Sequence, residues 1–263
     1  SRERTLRARI SAIVLTKNEA DNIAECLTSL AWADEQIVLD SFSDDDTVTL
    51  AQEAGARVYQ RRFRDYADQR NAALDLITTD WVFFVDADER ATPDLAEEIR
   101  RVTAHRAKAG WWAPRHNYIF GHRMRGAGWY PDYQLRLFQR DLGWYNPNRQ
   151  VHEVVILDGP AGHLENPLIH YNYNNLREFR ERQAKYTDYD AAMMYAAGRR
   201  ARPHNFILQP LREFRRRFWS EAGYRDRFYG LLLSSLMAYY EYVKYRKLWR
   251  SQRHDPAPSA SNQ

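Results

Sequence analysis

Cysteine is almost missing from this chain: Cys26 is the only one in 263 residues. A disulfide framework and a Cys-rich structural zinc site are therefore excluded, and a reducing compartment is the setting that fits. Long apolar runs are missing as well. No stretch reaches the roughly 18 apolar residues of a membrane span, and the basic stretch SRERTLRARI at the amino end has no apolar secretory core, so a cytoplasmic location is expected. Glycine-rich phosphate signatures are also absent. No G-x-G-x-x-G follows the first strand-like run and no G-x-x-x-x-G-K-[ST] occurs anywhere, which argues against an ordinary dinucleotide enzyme and a P-loop NTPase. Any phosphate must be handled by other groups.

What is present is enough for a globular core. Hydrophobic residues make up 44% of the chain, and the length suits one large α/β domain with an appendage or two small domains. Net charge is only +4, but its distribution is uneven: from Tyr171 onward there are 18 Lys/Arg against 9 Asp/Glu, and before it 21 against 26. The two parts should meet different partners. No Gly/Ser linker separates them, so a division near residue 170 could equally be a change of layer within one fold.

The most informative stretch is WVFFVDADE, residues 81–89. Trp81 to Val85 is an unbroken apolar run, the pattern of a strand buried on both faces. Asp86, Asp88 and Glu89 then place three carboxylates where the run stops. Carboxylates this close repel unless a cation lies between them, and a divalent metal on oxygen ligands commonly serves a phosphate-bearing substrate. The competing reading is a strand ending in a solvated acidic turn.

Other segments give that motif a context. Arg9 to Thr16 is a β-branched apolar run followed by Lys17, Asn18 and Glu19 and an amphipathic segment through Leu30. Glu35 to Asp40 repeats the strand signal and leads through a Ser/Asp loop into a helix over Thr47 to Ala54. A short strand over Ala56 to Gln60, a helix over Tyr66 to Thr78, the strand 81–85 and a helix capped by Thr92 complete the alternation. Alternating β and α predicts a mainly parallel sheet with helices on both faces, with ligands beyond the carboxyl ends of its strands. Thr16 to Glu19, Asp40 to Ser43 and Asp86 to Glu89 would then share one edge.

In order and spacing, IVLTKNEADNIAECLTSL, IVLDSFSDDDTVTLAQEAGARV and QRNAALDLITTDWVFFVDADE resemble the amino-terminal half of family 2 glycosyltransferases. PDYQLRLFQR, the later VHE and the carboxy-terminal Tyr/Arg pattern resemble the bacterial subgroup that includes the lipopolysaccharide-core glucosyltransferases. The resemblance implies a GT-A fold, a Rossmann-like nucleotide-sugar-binding domain, over 1–170. A helical basic-aromatic region over 171–250 and a disordered tail over 251–263 would follow. It implies inverting transfer from a nucleotide-sugar, often a UDP-sugar, to a lipid-linked or envelope glycan, with Mn2+ or Mg2+ as cofactor.

By the same resemblance Asp88 would hold the metal, with Asp86 reaching it through water or holding the ribose, Ala87 lying between them and Glu89 behind. Thr16, Asn18 and Glu19 would lie against the nucleoside, with Asp40 at base or ribose; helix capping and turn formation are the alternatives. Arg70 and Asn71 would sit beside the nucleotide, unless Arg70 is simply an exposed helical arginine. Asp132, after Pro131 and before the strand-like QLRLF, matches the position of the catalytic base, with a turn cap as its other reading. Arg136 would hold the diphosphate or orient Asp132. His152 is the candidate third metal ligand, and His170 competes with it. Trp111, Trp112, Trp129, Tyr130 and Trp144 could stack sugar, but packing is the default for most.

After His170 the pattern becomes helical, basic and aromatic. FYGLLLSSLMAYY is about thirteen residues, too short to span a bilayer but suited to the headgroup layer of an anionic membrane, where Arg215, Arg216 and Arg217 would assist. A packed helical hairpin is the alternative. No recognisable nucleic-acid module accompanies these residues, so nucleic acid is not an expected partner. Two other functional classes remain open: a nucleotidyltransferase, which would ordinarily have a Gly-rich loop that TKNEADN lacks, and a non-catalytic, membrane-associated nucleotide-sugar-binding protein.

Overall fold

The computed structural model describes residues 7–146 and 155–254. The chain divides into two compact units: residues up to His116 with Asp132–His170, and Asn117–Pro131 with the residues from Tyr171 on. Segment 117–131 thus leaves the block 1–170 expected from charge. Charge counting cannot detect such an excursion; packing can, since Met124 and Ala127 bury against Tyr173, Phe179, Leu233 and Tyr240.

The first unit opens with the expected alternation: β1 (Ile10–Thr16), α1 (Ile23–Ser29), β2 (Glu35–Asp40), α2 (Thr47–Glu53), β3 (Arg57–Gln60), α3 (Tyr66–Leu74), β4 (Trp81–Asp86), β5 (Glu89–Ala91) and α4 (Pro93–Ala104). Along the chain then come β6 (Gly110–Ile119), β7 (His122–Arg123), β8 (Tyr133–Gln139), β9 (Gly143–Tyr145), β10 (Val155–Leu157), β11 (Ala161–His163) and β12 (Leu168–Tyr173), of which β7 and the last residues of β6 and β12 belong to the second unit. The main sheet runs β3-β2-β1-β4-β8-β6-β12-β5. β3, β2, β1 and β4 are parallel neighbours, while β8 joins β4, and β6 joins β8, in antiparallel sense. The α/β class and mainly parallel first half match the sequence pattern. The antiparallel strands add a far edge to it.

Strand alternation explains the two cores. Ile10, Ala12 and Val14 of β1, with Trp81, Phe83 and Val85 of β4, face α1 and α4 through Ile23, Leu27, Leu95 and Ile99. Their neighbours Ile13, Ile37, Val82 and Phe84 face the other way, onto Ala67, Ala73 and Leu74 of α3. Burying each large side chain contributes about 1.5–3 kcal/mol, so both faces of the sheet are fixed and a one-residue slip of β4 would exchange them. Helix starts follow local chemistry: the Thr92 hydroxyl accepts from the Leu95 amide at 3.2 Å with Pro93 next to it, and Asp65 accepts from the Asp68 amide at 2.8 Å. α3 stops at Leu74, short of the expected Thr78, because Leu76 and Ile77 turn in to pack on the second core.

In the second unit α5 (Leu176–Ala196), α6 (Asn205–Arg215) and α7 (Arg227–His254) form the helical part. Asn175 and Glu178 make a reciprocal cap at the start of α5, with Glu178 N donating to Asn175 and Asn174 N to Glu178, each at 2.9 Å. α7 runs through Ser251 to His254, residues expected to begin the disordered tail, because Gln252 exchanges hydrogen bonds with the backbone of Ala201 at 3.0 and 3.1 Å. Among the described residues no helix is long and apolar enough to cross a membrane.

Candidate active site

Parallel register brings the polar strand ends together. Thr16 lies opposite Asp40, and Leu15 opposite Asp86, so β2, β1 and β4 deliver their last residues to one edge. Asp40 is fully buried there, accepting from Thr16 Oγ1 at 2.9 Å, the Ser43 amide at 2.8 Å and Gln60 at 3.2 Å. Burial pushes its carboxyl up, but the Ser43 hydroxyl and amide outweigh that and hold it below the usual range. Asn18, at φ 58°, accepts from the Asp44 amide at 2.9 Å, and its own amide donates to Ser43 Oγ at 2.8 Å. The Glu19 amide donates to Thr47 Oγ1 at 2.8 Å. These bonds hold the turns that carry Lys17, Ser41 and Phe42, which with Arg62 and Phe63 line a cleft of about 540 Å3. The cleft combines two cations with two half-exposed aromatic rings.

At the end of β4 the charges are ordered differently. Glu89 is completely buried, and such a carboxylate is tolerable only if compensated. Its Oε2 accepts the Asp86 amide at 2.9 Å, while its Oε1 accepts from Arg136 at 2.8 Å and from Arg115 at 3.1 Å. Arg136, also buried, forks onto both oxygens of Asp86. Arg115 reaches the other way, donating from Nε to Asp132 Oδ2 at 2.8 Å, and Gln134 donates to Asp132 Oδ1 at 3.0 Å. The result is one alternating chain of charge: Asp86, Arg136, Glu89, Arg115, Asp132. Burial favours the neutral form of Asp86, but Arg136 and then Arg70, 3.7 Å away, hold it well below the ordinary carboxylate range. At Asp88, His170 Nε2 lies 3.4 Å from Oδ2. β12 explains that contact, since its antiparallel pairing with β5 sets His170 opposite Glu89.

Residues 11–158 match the family described as Glycosyl transferase family 2. The chain belongs to that family. It is a glycosyltransferase, and its mixed α/β first unit is the GT-A arrangement. Over 252 residues it is 28% identical to the lipopolysaccharide core biosynthesis glycosyltransferase LpsC of Rhizobium meliloti strain 1021, covering 93% of each chain. Among solved structures it is similar to glucosyl-3-phosphoglycerate synthase from Mycobacterium tuberculosis in complex with Mn2+, uridine diphosphate and glucosyl-3-phosphoglycerate. That likeness has a TM-score of 0.48 and 18% identity, over 73% of this chain and 81% of that one. S. aureus TarS 1–349 in complex with UDP matches at a TM-score of 0.48 and 15% identity, over 94% and 91%.

In this glycosyltransferase the sequence-derived candidates fall in different places. Asp86, Arg136 and Asp132 lie on the charge chain, with Arg70 against Asp86 and 5.2 Å over the Tyr145 ring. Thr16, Asn18, Glu19 and Asp40 hold the turns on which cleft residues Lys17, Ser41 and Phe42 sit, while Ala87 is buried between the two aspartates. The Asn71 side chain bonds the Tyr145 backbone twice, at 2.8 and 2.9 Å, and so pins β9 to α3. His152 lies outside the described residues. Of the tryptophans, Trp111 packs on the first core, Trp112 stacks on His163, Trp129 belongs to the second unit's core and Trp144 is half exposed.

Arg115 and the central position of Glu89 were not anticipated. A charged residue in the aromatic strand GWWAPRHNYI was the available signal, but its partner depends on the antiparallel pairing of β6 with β8.

A divalent cation can be tested against these donors. Among the described residues no group of three or more His, Cys, Asp or Glu converges as a metal site. Asp88 and His170 nevertheless offer a carboxylate oxygen and an imidazole nitrogen at 3.4 Å, longer than a good hydrogen bond and near the spacing of adjacent ligands on one cation. Two protein donors suit a cation that takes its other ligands from diphosphate and water. The residues present fit such an ion.

Proposed function

We propose that this glycosyltransferase moves a sugar, with inversion, from a UDP-sugar to a hydroxyl of a lipid-linked or cell-envelope glycan such as lipopolysaccharide core, using Mn2+ or Mg2+. The observation behind the reading is the charge chain, which ties the candidate base Asp132 rigidly to Asp86 at the end of β4. Likeness to LpsC over 93% of the chain supports the envelope acceptor. The cleft at Lys17, Phe42, Arg62 and Phe63 suits a nucleotide, with rings for the base and cations for phosphate.

In this mechanism Asp132 takes the proton of the acceptor hydroxyl as its oxygen bonds to the anomeric carbon and the bond to the diphosphate breaks on the opposite side. Arg115 and Gln134 fix the carboxylate's direction, which lowers the cost of reaching the reactive geometry. Asp88 and His170 would hold the divalent cation, which neutralises charge on the departing diphosphate when bound. Arg70 and Arg136 add positive charge beside Asp86. A donor screen that follows UDP release in the presence of Mn2+ or Mg2+ tests the reading; no release with any nucleotide-sugar and a range of envelope glycans would overturn it.

The acceptor's membrane setting belongs to the same proposal. Ile207, Leu208 and Leu211 are exposed on one side of α6, while Phe206 packs on Tyr242 and Trp249 of α7. With exposed Arg212 and Arg215 alongside, this is the make-up of a helix lying in an anionic interface.

A further inference from the structure

Arg123, Arg125 and Arg225, with Met124 and Tyr130, line a cavity of about 140 Å3 within the second unit. Cationic side chains lining one small space favour an anion there. Among the described residues neither Arg125 nor Arg225 has a carboxylate partner. The acid next in sequence, Asp226, is turned away from that task. Its buried carboxylate accepts the Arg125 amide with both oxygens, at 2.9 and 3.0 Å, and lies 3.2 Å from His122 Nε2.

Asp226 thereby staples the 122–125 hairpin to the 223–226 turn and sets Arg125 beside Arg225. The surrounding backbone is unusually constrained. Ala127, Ala222 and Arg227 all adopt left-handed φ values of 50–56°, which non-glycine residues rarely hold without reason. A Cβ at Gly126 would run into the Ala222 carbonyl, and one at Gly230 into the carbonyl of Gly223. The arginines are thus presented by a fixed scaffold and not by a loose loop. The unit as a whole is basic, with 20 Lys/Arg against 9 Asp/Glu once Arg123 and Arg125 are included.

We propose that this cavity binds one phosphate group carried on a larger molecule. Its volume of about 140 Å3 admits a tetrahedral oxyanion. The lining arginines are exposed, so the rest of the ligand can remain outside. Guanidinium forks are the natural partners of phosphate oxygens. The bearer is either a phosphorylated glycan or a phospholipid headgroup. The proposal does not depend on the donor reading, because every lining residue belongs to the second unit.

The test uses the full chain at low ionic strength, with glucose 6-phosphate against glucose as the soluble probe and phosphatidylglycerol against phosphatidylcholine vesicles as the surface probe. The double variant Arg125→Gln/Arg225→Gln should weaken binding of a phosphate probe at least tenfold, and Arg125→Lys/Arg225→Lys should weaken it less. UDP binding, measured in parallel, should be unchanged. Loss on glucose 6-phosphate assigns the site to a glycan phosphate; loss on phosphatidylglycerol vesicles alone assigns it to a headgroup. Wild-type protein that ignores both probes, or a double Gln variant that binds both as wild type does, would overturn the proposal. Failure of wild type to bind UDP would count against the donor reading and leave this one standing.

Discussion

Arg115 Nε donates to Asp132 Oδ2 at 2.8 Å while the Nη1 of the same guanidinium reaches buried Glu89 at 3.1 Å. One fork therefore couples the candidate base to the carboxylate that also receives Arg136. Lysine keeps the charge but cannot span two acceptors in a fixed plane. Arg115→Lys should lower kcat by about 10- to 100-fold, with the KM for the donor changed little, because orientation of the base matters at the transition state. Equal loss in donor affinity, measured by calorimetry, would mean that Arg115 serves binding instead.

Asp132→Asn removes the base and keeps the shape. Transfer should fall by about 100- to 10,000-fold while donor affinity stays close to wild type. The same assay, read by NMR coupling constants on the wild-type product, should show a β-linked sugar from an α-linked donor. Retained configuration would exclude Asp132 as a simple base.

Asp88→Asn and His170→Ala should each weaken cation-dependent UDP binding, and the two losses should not add fully, because both groups would hold the same ion. Calorimetry with Mn2+ and with chelator makes the comparison. If His170→Ala binds UDP and Mn2+ as wild type does, His152 becomes the ligand to examine.

Asp40 gives a pH-dependent prediction. Its folded pKa is depressed, so the stability it contributes is present in full above the ordinary carboxylate range near pH 4 and is lost as pH falls through the lower folded value. Asp40→Asn should cost about 1.5–3 kcal/mol at pH 7, the worth of hydrogen bonds to a buried charge. That gap should narrow below about pH 4 in urea melts. A gap constant from pH 7 to pH 3 would show that the carboxylate's charge is not what holds the 40–43 turn.

The strands β1, β2 and β4 were legible because each is an apolar run that stops at polar residues, and a parallel sheet then collects those stops on one edge. Asp86 and Asp88 followed from that logic. The charge chain was not legible: Glu89, Arg115 and Asp132 meet only through the β6 and β8 pairing, and no local spacing encodes which antiparallel strands adjoin. The choice between His152 and His170 had the same obstacle. Opposition of His170 to Glu89 is a register fact, invisible until β12 is known to pair with β5. In the second unit the basic-aromatic character was readable, but not the folding of Asn117–Pro131 into it, which depends on Met124 and Ala127 finding a distant core.

Structure also changes which residues should be altered to test membrane contact. Reversing Arg215, Arg216 and Arg217 is a poor experiment, because Arg216 and Arg217 both bond Glu213 at 2.6 Å, Arg216 also pairs with Glu221, and Arg217 donates to the Ala127 carbonyl at 2.7 Å. Glutamate there would set like charges against Glu213 and unsettle the fold. Ile207, Leu208 and Leu211 are better targets: they are 65%, 43% and 61% exposed and follow the i, i+1, i+4 spacing of one helix face. Replacing all three with Ser should leave the melting temperature within a few degrees of wild type, since little buried area is lost. Each inserted side chain is worth about 1.5–3 kcal/mol when fully buried, so even half-depth insertion of three gives an effect above tenfold in a flotation assay with phosphatidylglycerol vesicles. Binding should also weaken as salt screens Arg212 and Arg215. If wild type stays with the soluble fraction at low salt, or if the triple Ser variant floats as wild type does, α6 is not an interfacial helix and the acceptor is met in solution.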